Sequence, residues 1–343
     1  MIEFKRVYDL LHMSFDSYTG ESFFREKVPA LVKELEEKNL LTESQGAKII
    51  DLSAYDMPPC LILKNDGGSI YHSRDITAVL YRKETYDFDK CLYVTGLEQS
   101  LHFKQVFQAV KLMGYDWTDS LVHIPYGLVS LGGLKLSTRG GHIIYAEDIL
   151  KEAISRALAA IEEKNPNLQD KESVARMVGV GAVIFHDLFN QRIKNVEFSW
   201  DEVLSFDGTT GPYVQYTCAR AKSVLRKASA SFDTTSSVDA APTANSLADI
   251  DCSVLTDEAS YALVKTLSGY NGAVQTAAER YEPSVIARYL ISVAAAFNKF
   301  YHECSILHAE DSEKKARLLL TDLVQKVLTD GCGLLGMECP EEM

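Results

Sequence analysis

The chain has 343 residues, 46% of them apolar and 24% charged, a composition that excludes disordered and fibrous classes and predicts a soluble globular protein of two or three domains. No apolar run approaches the ~18–20 residues of a membrane span, and the charged start MIEFKRVYDLL lacks a signal-peptide pattern. A net charge of −13 argues against indiscriminate nucleic-acid binding, though not against a local basic face. Seven scattered cysteines without a CxxC predict neither a zinc site nor a disulfide framework, and a reducing cytoplasm.

Residues 60–66 (CLILKND) and 90–96 (KCLYVTG) read as strands rich in Leu, Ile, Val and Tyr. Between them, 73–86 reads as a helix with Ile76, Val79, Leu80 and Lys83 at helical spacing. The next helix, 102–114, places Phe103, Val106, Phe107 and Val110 on one face, and Gly114 suits its C-terminal stop. A third strand follows at 121–127. This β-α-β-α-β order predicts a parallel sheet with crossover helices, narrow and poorly covered at its edges.

From about residue 146 the pattern is helical: 146–164, 172–189 and 212–229, then 256–280, 283–304 and 310–330. Residues 229–251 are rich in Ser, Thr, Ala and Asp without periodicity and predict a flexible loop. Ile286, Leu290, Val293, Phe297, Phe300 and Cys304 form a buried stripe at helical spacing. The expected architecture is an α/β piece followed by a helical bundle.

Several stretches carry polar chemistry. In DGGSIYHSRDI (66–76), Tyr71 and Asp75 lie one turn apart as a helix begins. The residues alone leave two readings open: a core tyrosine with a helix-start aspartate, or a phenol and carboxylate facing a cation such as a guanidinium. VTGLEQSLHF (94–103) gathers Gly96, Glu98, Gln99 and His102 at a strand end, where open α/β sheets bind ligands. An ordinary polar loop fits it as well. GVGAVIF (179–185) lacks the third glycine of a dinucleotide fingerprint and predicts close helix packing. YVQYTCARAKSVLRK (213–227) holds Arg220, Lys222, Arg226 and Lys227 without an acid, with Tyr213, Tyr216, Arg220 and Lys227 on one side. It reads either as a solvated face or as a contact for RNA backbone with tyrosine for stacking. GGLKLSTRGG (132–141) sets two cations and two hydroxyls between glycine pairs, suited to phosphate or merely to a linker.

Taken together, these stretches resemble arginyl-tRNA synthetases of class I. GGLKLSTRGG resembles their KMSKS signature loop, with Leu136 in place of Met and Thr138 in place of the second lysine. Residues 69–117 resemble the synthetic core, while 206–228 and 285–304, with the end GLLGMECPEEM, resemble the anticodon-binding domain. The resemblance implies a partial Rossmann-type catalytic domain (1–128 with its connecting segment), signature-loop and stem-contact helices (129–205), and a DALR-type helical anticodon-binding domain (206–343). It implies that Tyr71, Asp75 and Gln99 line an arginine pocket. Gly96 and Glu98 would meet the ATP ribose, with His102 facing the nucleotide. Lys135, helped by Ser137 and Arg139, would stabilise pyrophosphate. The expected substrates are arginine, ATP with Mg²⁺, and arginine tRNA held by Tyr213, Tyr216, Arg220, Arg226 and Lys227. No protein-bound metal, DNA or membrane partner is expected.

The HxGH signature of class I enzymes does not occur in the sequence. The expectation is therefore a carboxyl-terminal portion of such an enzyme, missing its amino-terminal half, inactive alone and exposing a sheet edge. A non-catalytic tRNA-binding module and one half of a split synthetase are the alternatives.

Overall fold

The computed structural model describes residues 2–131, 134–135, 145–232 and 250–343. They form two compact units, Phe15–Leu128 and Met1–Ser14 with Val129–Met343. Helix α1 (Ile2–Leu10) belongs to the larger unit.

The smaller unit opens with α2 (Glu21–Arg25) and α3 (Val28–Glu37), followed by strands β1 (Thr42–Ser44), β2 (Ala47–Ile50) and β3 (Cys60–Leu63). These strands form an antiparallel sheet in that order. Helix α4 (Tyr71–Tyr86), β4 (Cys91–Gly96), α5 (Ser100–Leu112) and β5 (Leu121–Tyr126) follow. Strands β4 and β5 pair in parallel, from Cys91 opposite Leu121 to Gly96 opposite Tyr126. The expected three-stranded parallel sheet is thus corrected: β3 joins the antiparallel sheet, and β4 pairs only β5 among the described residues. The partner of β3 is β2, only four residues long, and β2 pairs in turn with β1, which reads Thr-Glu-Ser, wholly exposed and without an apolar alternation.

The core of this unit gathers Leu31 and Leu35 from α3, Ile50, Ile62, Ile76 and Val79, and Phe103, Val106 and Val110 from α5. Each fully buried aliphatic chain contributes about 1.5–3 kcal/mol. Helix α5 ends as the glycine predicted, with Gly114 at φ +90°. Strand β4 alternates: Tyr93 is buried against Phe107 of α5, while Leu92 and Val94 are 45% and 63% exposed. On β4, one face is therefore covered and the other exposed, although Ile124 of β5, paired with Val94, is buried.

In the larger unit, β6 (Val129–Leu131) lies between β7 (Leu134–Lys135) and β8 (Val196–Phe198), antiparallel to the first and parallel to the second. The helices are α6 (Ala146–Lys164), α7 (Lys171–Phe189), α8 (Trp200–Val203), α9 (Gly211–Phe232), α10 (Glu258–Leu267), α11 (Tyr270–Arg280), α12 (Ser284–Glu303) and α13 (Asp311–Leu334). The stripe predicted on α12 is buried from Ile286 to Cys304, packed with Phe185, Val214, Cys218, Leu263, Val324 and Leu328. The GVG stretch is a close crossing of α7 with α6. A Cβ on Gly179 would sit 2.6 Å from the Ile154 backbone nitrogen, so only glycine lets the two backbones meet.

Two boundaries are corrected. The helix predicted over 256–280 is two, because Ser268 and Gly269 interrupt it; the Tyr289 hydroxyl donates to the carbonyls of Thr266 (2.7 Å) and Leu267 (3.2 Å) at the break. Residues 229–232, predicted as loop, continue α9. The rest of that predicted loop, through 249, lies outside the described residues, and Asp251 then caps a short 3-10 turn by accepting from the Ser253 amide at 2.9 Å. Among the described residues, no helix is long and apolar enough to cross a membrane.

Candidate functional site

The start of α4 is fixed by Ser73, whose hydroxyl accepts from the Ile70 amide at 3.1 Å. The first turns of that helix carry Tyr71, His72 and Asp75. Asp75 meets α5: the His102 ring nitrogen Nε2 lies 2.6 Å from Asp75 Oδ2. An ionised carboxylate only accepts, so Nε2 carries the proton. The other Asp75 oxygen has no hydrogen-bond partner among the described residues, and the side chain keeps 36% exposure.

Behind this pair lies His72, its ring centroid 4.4 Å from that of His102. The Gln105 amide nitrogen donates to the carbonyls of Pro58 (2.9 Å) and Pro59 (3.2 Å), which turns its oxygen toward His72 Nε2 at 3.1 Å. His72 therefore donates through Nε2, leaving Nδ1 buried without a hydrogen-bond partner. Burial, then the neighbouring His102, lowers the His72 pKa from its ordinary value, against the opposing pull of Gln105 and Asp75. A third imidazole, His123 of β5, bonds the Thr95 hydroxyl at 2.9 Å and stacks on Phe103 at 4.9 Å.

Strand β4 ends at Gly96, and a 3-10 turn, Leu97–Gln99, leads into α5. A Cβ on Gly96 would lie 2.9 Å from Glu98 Oε2, so glycine lets that carboxylate fold back over the strand end. Tyr71 is 69% exposed with the Arg74 guanidinium 5.9 Å from its ring centre, which removes the core-tyrosine reading. Of the residues predicted for this site, the structure joins Asp75 to His102 and sets Glu98 on Gly96. Tyr71 and Gln99 stand exposed nearby in sequence, with no side-chain hydrogen bond joining them to the others. Sequence reading missed His72, Gln105 and His123. No local pattern marked them, because their partners come from other elements.

Of the signature loop, Lys135 lies in β7, its backbone opposite Ser130. Ser137 and Arg139 lie outside the described residues.

Helix α9 carries the second group. Its exposed side borders a cavity of about 330 Å³ lined by Tyr216, Arg220, Arg226, Lys227, Tyr301 and Met343. The Arg220 guanidinium sits 4.8 Å from the Tyr216 ring centre and 5.2 Å from that of Tyr301, and donates to Asn298 Oδ1 at 2.6 Å. Asn298 in turn donates to the Tyr213 hydroxyl at 3.0 Å. Although α9 has no acid of its own here, the chain end supplies two. Lys222 is buried and bonds Glu341 at 2.6 Å, and Arg226 bonds Glu342 at 2.8 Å. Tyr301, Asn298 and these carboxylates are far from α9 in sequence, which is why the basic run read as unopposed.

Residues 1–200 match the family described as "tRNA synthetases class I (R), catalytic domain", and 214–343 match the "DALR anticodon binding domain". The chain is 49% identical over 341 residues to the arginine–tRNA ligase of Halothermothrix orenii, covering 99% of this chain and 58% of that protein. Against the arginine–tRNA ligase of Clostridium kluyveri it is 50% identical over 343 residues, with the same coverage. The arginyl-tRNA synthetase of Thermus thermophilus superposes with a TM-score of 0.84 at 27% identity, over 99% of this chain and 62% of that one. The chain thus spans somewhat over half the length of the relatives it matches. With catalytic-domain and anticodon-domain matches in order along it, and whole-chain identity near one half, the chain belongs to the arginine-type class I tRNA synthetase family.

Proposed function

We propose that this chain serves in the ATP-dependent attachment of arginine to its tRNA. The observation that carries this reading is Asp75, a half-exposed carboxylate with one oxygen held by His102, in the helix that follows the carboxyl end of parallel strand β4, and the other open. A carboxylate so placed suits a guanidinium. In this reading Tyr71 and Gln99 complete the arginine pocket, and Gly96 and Glu98 meet the ATP ribose.

The chemistry is two displacements. A carboxylate oxygen of arginine attacks the ATP α-phosphorus and pyrophosphate leaves, with Mg²⁺ on the triphosphate and Lys135, Ser137 and Arg139 taking up developing charge. A terminal ribose hydroxyl of the tRNA then attacks the acyl carbon and AMP leaves. Positioning dominates both steps. The helical part, 206–343, holds the anticodon stem-loop, with Arg220 and its two tyrosines offering a stacking surface for an unpaired base. Equilibrium dialysis with labelled L-arginine tests the first half of this reading. Arginine is retained by the chain and resists displacement by equimolar L-leucine; equal displacement by leucine contradicts it.

A further inference from the structure

His102, expected beside the nucleotide, is bonded through Nε2 to Asp75. We infer that His102 is a positioning residue for the guanidinium acceptor: its Nε2 proton holds one oxygen of Asp75 and so aims the other. This deepens the arginine-pocket reading and rests on it.

Three observations carry the inference. First, His102 Nε2 lies 2.6 Å from Asp75 Oδ2, the shortest of the contacts within this cluster, between residues on different helices. Second, His102 is itself fixed. Its ring is flanked by His72 at 4.4 Å and meets Phe103 edge-on at 5.1 Å and 87°. Third, the flanking His72 is anchored in turn, through Gln105, to the carbonyls of Pro58 and Pro59. The hydrogen-bonded anchor of His72 thus supports, by ring contact, the His102 ring that bonds one carboxylate oxygen. A free aspartate samples several rotamers. One pinned on a single oxygen presents the remaining oxygen in a fixed direction, so less ordering is needed when a planar cation docks. His102 does this without touching the guanidinium.

The test uses the 343-residue chain with L-arginine as probe and four variants: H102L, H102Q, H72L and D75N. Glutamine places an amide N–H near the position of the imidazole Nε2 and should restore the hydrogen bond. Arginine affinity should fall about two- to tenfold in H102L, the cost of ordering one freed side chain on binding, and recover to near the wild-type value in H102Q. H72L should fall by less than H102L. Melting temperatures and helix content, read alongside, exclude unfolding as the cause. Long-range nitrogen–proton NMR of the histidines should show His102 as the Nε2–H tautomer, with its proton sheltered from exchange in the wild type and not in D75N. An H102L variant that binds arginine as tightly as wild type overturns the inference. So does an Nδ1–H tautomer at His102, whether or not arginine binds. Failure of the pocket reading itself looks different: D75N then binds arginine like wild type, or no variant binds it, while the tautomer result still decides the role of His102.

Discussion

The two polar regions of this chain handle charge in opposite ways. Around Asp75 the structure builds a carboxylate with one oxygen engaged by the His102 ring and the other left open. Along α9 it takes a run of cations and opposes most of them: Lys222 and Arg226 are satisfied by Glu341 and Glu342, and Arg220 is laid between two tyrosine rings. On the proposed reading, the first region is prepared for a cation before it arrives. The second would meet an anionic partner with its charge already partly spent inside the protein, so stacking and shape would weigh more there than net charge. Counting basic residues misjudges α9, just as counting acidic ones misjudges Asp75.

The largest effect that can break this contrast is at Asp75. D75N removes the charge but keeps the shape, and arginine affinity should fall about a hundredfold, equivalent to ~3 kcal/mol, read by titration calorimetry. Next come two glycines, one from each unit. A Cβ on Gly179 meets backbone of α6, whereas one on Gly96 meets the movable end of Glu98. Gly179→Ala should therefore cost about 1–3 kcal/mol of stability. Gly96→Ala should cost under about 1 kcal/mol, with urea melts of each variant as the measure.

The α9 side is tested by RNA binding at two salt concentrations. R220Q should weaken binding to an arginine tRNA transcript about three- to tenfold, while R226Q changes it less because Glu342 already engages that cation. The double change E341Q and E342Q should tighten binding and steepen its salt dependence, because two cations are freed for phosphate. Equal losses for R220Q and R226Q would break the contrast.

Smallest is the pH dependence of His72. Burial holds its folded pKa below the ordinary histidine value of about 6.5, so the unfolded chain takes up a proton first. Stability from this residue is complete above about pH 6.5 and is lost as pH falls from there toward the folded pKa. H72Q should flatten the fall in stability between pH 7 and pH 5, measured by urea midpoint.

Much of the fold was legible in the sequence. The stripe of α12 and the close packing at Gly179 follow from periodicity and glycine placement, which are local properties. The antiparallel sheet was not legible, since β1 is three exposed polar residues that gain order only from pairing with β2. The same division holds for the candidate site. Asp75 and Glu98 stand out because polar residues at a helix start and a strand end are locally conspicuous. The His72–Gln105 support behind Asp75, and the chain-end carboxylates over α9, arise from contacts across 33 and 115 or more residues that no local pattern records.

The central claim is that Asp75 is a prepared acceptor for a guanidinium. The most direct measurement compares L-arginine with L-citrulline, its uncharged isostere, by titration against wild type and D75N. Wild type should favour arginine by at least about tenfold, and D75N should lose that preference. Equal affinity of the wild-type chain for the two amino acids, or a preference that survives in D75N, would contradict the account.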